Sequence, residues 1–355
     1  MLRWTTLAPL VAAATLGLTA TLGEPPWLLA GCGVALIAAV LAAVHHAEVI
    51  AHRVGEPLGT LVLALAVTVI EAALLLSLLI AGGTEMETLP RDAVYATVMI
   101  ITTGVVGLCT LVGGLAHGEQ SFRVDGAGGG LAALIVLAVV TLVLPDFTIT
   151  TGVGTYSRGQ ALFAAVVSAA LWGIFVFVQT VRHRDYFLPP DDDAPPDEHA
   201  PPPSRRQAAM SFMLLVVALV AVVGLAKLLS HPLETFVEAF HLPRGVVGIV
   251  VAMVVLLPET WAAIRAAHAN RLQSSMNLAI GSALATIGLT VPVVVVVATA
   301  CGLPLVLGLG AKDVVLLATA LLVSVVTLGT GRTSMMQGAV HLVLFATYVF
   351  LACVP

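Results

Sequence analysis

The chain has 355 residues, of which 59% are hydrophobic and 10% charged, with a mean hydropathy of +1.06; a composition this apolar excludes a soluble globular enzyme. The 15 Lys and Arg against 20 Asp and Glu leave a formal charge of -5, and no basic block points to a nucleic-acid partner. Eleven apolar runs of about 20 residues, the length that crosses a hydrocarbon core of about 30 Å, take up most of the sequence.

In chain order the expected spans are 6–22, 27–44, 60–80, 93–115, 131–149, 160–181, 209–229, 246–264, 276–300, 314–328 and 339–354. In lipid each must be a helix, because an extended segment would leave backbone polar groups unpaired. Arg3 ahead of the first run and Leu18-Thr19-Ala20 near its end also fit a signal peptide; the other ten spans are self-contained either way. Threading eleven spans puts Arg3, Arg53, Arg123, Arg182, Arg184, Arg205, Arg206, Arg265, Arg271 and Arg332 on one face, and Arg91, Arg158, Lys227, Arg244 and Lys312 on the other. The richer face is the cytoplasmic one, so the expected N-terminus is cytoplasmic and the C-terminus outside.

His45, Glu48 and His52 share one face of a short helix leading to Glu56. That spacing admits a metal site, but a solvated helix end is the simpler reading. Glu48 and Glu56 would draw cations to a cytoplasmic entrance. The cysteines Cys32, Cys109, Cys301 and Cys353 all lie in apolar runs without paired spacing, as packing residues do.

From Arg182 to Gln207 the sequence is rich in Pro and Asp and cannot bury a core, so a disordered acidic linker is expected. It divides the chain into an N-terminal helix (1–26), a first five-span set (27–181), the linker (182–208) and a second five-span set (209–355). An odd number of spans per set turns the two sets opposite ways. Trp27 and Met210 open the two sets; Ala96-Thr97 answers to Gly281-Ser282, and Glu71 to Glu259, at offsets that agree to within a few positions. These near-constant offsets predict an all-α polytopic membrane protein with one N-terminal helix and two inverted five-helix repeats, as in many secondary transporters.

Of the 20 acidic residues only Glu71 and Glu259 lie deep in a span. A carboxylate at the bilayer centre costs at least about 2.5 kcal/mol, so it implies a compensating use. Two such acids in equivalent spans can be neutralised by protons or by cations, and exchange between those states is proton/cation antiport. Thr60, Ala64 and Thr68 share the face of Glu71, as Gly248, Ala252, Ala262 and Ala263 share that of Glu259. The third spans carry similar stripes, Thr103, Gly107, Thr110 and Gly114 in one, Gly281, Ala285 and Gly288 in the other, with Ser282 and Thr286 alongside. Small-residue stripes also serve plain helix packing. Pro258 is placed to free a carbonyl near Glu259, and His341, inside the last span, reads as a hydrogen-bonded structural histidine in preference to a proton relay.

The run from His45 to Thr60, the run Ala66-Val67-Thr68-Val69-Ile70-Glu71, Pro258-Glu259, Asn277 to Ser282, Leu289 to Pro292, Gly329 to Thr333 and Gly338 to Leu342 together resemble the bacterial ChaA-type calcium/proton antiporters of the calcium/cation exchanger superfamily. The resemblance implies that Glu71 and Glu259 bind cation and proton in turn. The wider superfamily places Asn three residues before each acid; Thr68 and Leu256 stand there in this chain, which departs from its calcium-coordinating pattern. ChaA-type proteins are associated with Na⁺ and K⁺ export as well as Ca²⁺.

The expectation is therefore a secondary antiporter that takes Ca²⁺, or Na⁺ or K⁺ at alkaline pH, between Glu71 and Glu259, with Thr68, Thr97 and Ser282 adding oxygens. Its partners would be lipid and the transported cations, with no cofactor and no nucleic acid; a homo-oligomer is compatible with the sequence. An intramembrane enzyme is the weaker rival, since HExxH, GxSxG, Walker A and GxGxxG patterns are all absent. A cation channel or a co-transporter would use similar residues.

Overall fold

A computed structural model describes residues 4–23, 25–55, 58–82, 86–188, 203–240, 243 and 245–354, apart from the side chains at 20, 58–61, 81, 82, 234 and 238. Among the described residues, eleven helices run α1 (Trp4–Leu22), α2 (Pro26–Val54), α3 (Leu58–Gly82), α4 (Leu89–His117), α5 (Val124–Phe147), α6 (Arg158–Arg182), α7 (Arg205–Ala239), α8 (Gly245–His268), α9 (Leu272–Cys301), α10 (Ala311–Leu328) and α11 (Met335–Cys353). The ten from α2 onward are long and apolar enough to cross a membrane, and α1 is a further apolar helix. On α11, Met336, Val340, Val343 and Phe350 are exposed while Gly338, His341 and Tyr348 are buried, the two-faced pattern of a helix between lipid and protein.

Two spans outrun their apolar cores. α2 continues past 44 to Val54, carrying His45, Glu48 and His52 on one unbroken helix, and α7 runs 35 residues through Pro232. The disorder expected of the linker falls on residues 189–202, outside the described residues. Its flanks are ordered: Arg184–Phe187 forms a 3₁₀ turn and Arg205 begins α7.

The helices group into two packing units that draw on both halves of the sequence, one within Met1–Glu87 and Glu198–Arg244, the other within Thr88–Asp197 and Gly245–Pro355. In the first, α2 packs against α1, α3 and α7. His46, 4% exposed, ties three of these helices: Nε2 donates to the Thr5 carbonyl (2.9 Å) and Nδ1 meets the Ser211 hydroxyl (3.2 Å). The helix that also fits a signal peptide is thus packed in the unit, with Gly224 of α7 giving room to Leu16.

In the second unit α4 and α8 lie side by side, α9 returns along α8, α11 packs on α4, and α6 packs on α9. Strand β1 (Glu119–Ser121) pairs antiparallel with β2 (Arg332–Ser334) in the register Gln120 to Thr333. A capping box at Ser157 and Gln160 starts α6. Ser157→Ala is expected to cost about 1 kcal/mol and to lower the melting temperature of the purified protein by about 2 °C; thermal denaturation in detergent would show it, and an unshifted transition would mean the box does not hold the helix.

Among the described residues four helices contain π-turns: α4 at Ile100–Val105, α5 at Val139–Val143, α6 at Val178–Arg182 and α9 at Thr286–Thr290. Those in α4 and α9, the third spans of the two halves, begin at Ile100 and Thr286, a spacing that matches the offsets of the repeat. A π-turn hands an N–H to the carbonyl five residues back and strands the carbonyl four back. In α5 the Leu144 N–H goes to Val139, and the Tyr156 hydroxyl supplies the stranded Val140 carbonyl at 2.6 Å. In α9 the π-turn runs up to Pro292, which has no N–H to give Gly288.

Candidate functional site

Glu71 is 3% exposed near the middle of α3, with Thr68 (5%) one turn earlier on the same buried face. Ile70, Ala72, Leu74 and Leu75 are buried around them while Val69 is exposed. Both residues belong to the first unit.

Glu259, Ser282 and Thr97 belong to the second. Glu259 is half-buried on α8, in a helix that runs on through Pro258 without a break. The proline interrupts one hydrogen bond and not the helix, since its missing N–H leaves the Val254 carbonyl without that donor. The α8–α9 hairpin turns at Asn270, whose φ is +59°; Glu259 precedes this turn by about as many positions as Ser282 follows it. Carboxylate and hydroxyl therefore stand at matching depth on neighbouring helices, Ser282 being half-buried.

The small-residue face of α8 does what such faces do. A Cβ on Gly248 would stand 2.8 Å from the Ala93 nitrogen, so α8 meets the backbone of α4 there. At the far end of the same pair, His117 Nε2 donates to the His268 carbonyl (2.8 Å) and Gln120 Nε2 to the Ala267 carbonyl (3.0 Å). Contacts at both ends make α4 and α8 parallel and in register. Glu259, three turns past Gly248 and roughly 16 Å along the axis, is level with the π-turn of α4, against which α8 packs. Thr97, 1% exposed, lies one turn past Ala93, nearer the crossing than the carboxylate.

The hydroxyl stripe of α4 is engaged elsewhere. Thr102 and Thr103 donate to the Val98 and Met99 carbonyls, Thr110 donates to Val106, and Gly107 and Gly114 face α11. At the Arg-poor end, Arg91 donates from Nε to Asp92 and from Nη1 to the Gly308 carbonyl, both at 2.8 Å, holding the segment before α10 against α4. Glu48 is exposed, with His45 Nδ1 3.9 Å from its carboxylate. Glu56 and the side chain of Thr60 lie outside the described residues. No cluster of three metal-ligating side chains exists among the described residues; His45, Glu48 and His52 lie in the last turns of α2.

The sodium/calcium exchanger protein family model matches residues 25–181 and 210–354. The chain belongs to that family. It is 46% identical to the y4hA protein of Sinorhizobium fredii, described as a putative ionic transporter, over 99% of this chain and 96% of that one. It is 38% identical to the sodium-potassium/proton antiporter ChaA of Escherichia coli over 89% of this chain and 86% of that one. Among solved structures, native YfkE superposes with a TM-score of 0.76 at 18% identity, covering 99% of this chain and all of the other. The chain is thus a multi-pass membrane transporter of the ChaA type and not an enzyme.

Sequence reasoning missed the π-turns. Pro292 was a legible signal for the one in α9. The one in α4, at Ile100–Val105, has no proline or other local signal.

Proposed function

We propose that this protein is a cation/proton antiporter of the bacterial inner membrane that exports Ca²⁺, or Na⁺ and K⁺ at alkaline pH, in exchange for H⁺. Glu71 and Glu259 are its exchange carboxylates, with oxygens from Thr68, Thr97 and Ser282. The observation that carries this reading is the pairing of the two deep carboxylates: each sits in the second span of its half, at the offset that relates the halves to one another. The accompanying hydroxyls repeat as well, Thr97 following Glu71 in the next span as Ser282 follows Glu259.

The chemistry follows from charge. With both acids ionised the site binds a cation, Ca²⁺ drawing the rest of its six to eight oxygens from water and backbone carbonyls. Moving the repeats exposes the site outside, where protons displace the cation. Desolvation and mutual repulsion favour the protonated pair once the cation has left, so the return step carries protons. The Arg-rich face is cytoplasmic by the positive-inside rule, which puts Glu48 and Glu56 at the loading side.

The E. coli relative's name favours the monovalent ions, and the family's name admits Ca²⁺. Purified protein in proteoliposomes, with interior pH followed as Ca²⁺, Na⁺ or K⁺ is added outside, separates the two. Proton flux driven by Ca²⁺ is expected; a response to Na⁺ and K⁺ with none to Ca²⁺ would make it a monovalent antiporter, and no response to any would overturn the reading.

A further inference from the structure

His341 is fully buried in α11, 0% exposed, and both of its ring nitrogens are engaged. Nδ1 donates to the Thr102 carbonyl at 2.7 Å, and Nε2 lies 3.0 Å from the Thr327 hydroxyl of α10. A carbonyl only accepts, so Nδ1 carries the proton and Nε2 accepts from Thr327.

The Thr102 carbonyl needs that donor because of the π-turn. In an α-helix its partner would be the N–H of Val106, but here the Val106 N–H goes to Ile101. The turn has shifted the ladder by one residue and stranded the carbonyl at Thr102 inside the bundle, where an unmet carbonyl is costly. The imidazole reaches it because Gly107 and Gly338 let α11 lie against α4: a Cβ on Gly107 would stand 2.9 Å from the His341 Cβ, and one on Gly338 would stand 2.5 Å from the Leu111 nitrogen. The same turn packs against α8 at the depth of Glu259.

We propose that His341 is a positioning residue for exchange: by taking the Thr102 carbonyl it keeps α4 in its π-form, and so fixes the wall against which the helix of Glu259 is set. The inference rests on the reading of Glu259 as an exchange carboxylate. A π-turn without its outside donor falls back toward the α-helical ladder, which rotates the residues on one side of it relative to the other by about 100°.

The test measures cation half-saturation and maximal rate of proton-coupled flux in proteoliposomes for wild type, His341→Leu, His341→Asn and Glu259→Gln. Leucine fills much of the space and gives no N–H, whereas the asparagine amide places an N–H near that of Nδ1. His341→Leu is expected to raise half-saturation about tenfold, the scale of one net hydrogen bond to a buried group, and His341→Asn to restore most of it. A histidine that only packs would leave half-saturation unchanged in the protein that folds. Should His341→Leu fail to reach the membrane, Thr327→Val loosens the ring without removing it, and an unchanged half-saturation there would overturn the inference. Glu259→Gln inactive with His341→Leu at wild-type values overturns this inference alone; Glu259→Gln active overturns the carboxylate reading and this inference with it.

Discussion

Glu71→Gln and Glu259→Gln are each expected to abolish cation-driven proton movement. The amide keeps the shape of the side chain but neither ionises nor carries an exchangeable proton in the range where the carboxylate works. Losing a charged ligand costs about 1.5–3 kcal/mol of interaction, about tenfold to hundredfold in cation affinity, and the proton half of the cycle loses its carrier altogether. Glu71→Asp and Glu259→Asp keep the charge but withdraw it by one methylene, so a partial loss is expected, on the order of tenfold in half-saturation. Thr68→Val, which removes one neutral oxygen beside the buried Glu71, should cost only about threefold to tenfold. Flux measured against cation concentration in proteoliposomes, with expression matched, gives the ranking. A Gln variant with wild-type coupling would remove that carboxylate from the mechanism.

The second large effect falls on packing. Gly338→Val is expected to prevent the second unit from folding, because the added Cβ would stand 2.5 Å from the Leu111 nitrogen, 2.8 Å from its Cα and 2.9 Å from the Gly107 oxygen. These are backbone atoms of a neighbouring helix and have no rotamer to move to. Overpacking against side chains costs about 1–3 kcal/mol, and forcing α11 away from α4 also strips His341 of its partner, against a total stability of about 5–15 kcal/mol for an ordinary domain. Gly33→Ala is the control, since nothing lies within 4 Å of the position its Cβ would take; it is expected to leave stability equal or slightly raised. Size-exclusion profiles of the detergent-solubilised variants would show loss of the monodisperse peak for Gly338→Val and its retention for Gly33→Ala. Equal profiles would mean the α4–α11 seam is not closely packed.

Much of the fold was written in hydropathy. The eleven apolar runs reappear as eleven helices, since a segment in lipid must satisfy its own backbone. Hydropathy reads lipid contact and not helix length, so the apolar run stops at 44, and it was the spacing of His45, Glu48 and His52 that marked the helical end through which α2 continues to Val54. The two deep glutamates were legible because charge in an apolar run is rare and costly. The π-turn beside Glu259 was not, because the donor that meets its stranded carbonyl is a histidine far along the chain. The role of Gly107 and Gly114 was likewise open between ligand wall and helix contact, and only the partner helix settles it as contact.

The direction of coupling tests the central claim most directly. Everted membrane vesicles from cells without their own antiporters, loaded acid inside, would receive Ca²⁺, Na⁺ or K⁺ outside while interior pH is followed, with wild type, Glu71→Gln and Glu259→Gln in parallel. Cation-triggered alkalinisation of the interior in wild type, absent in both variants, is the predicted result. Cation uptake without proton release, or alkalinisation that persists in either variant, would contradict two-carboxylate antiport.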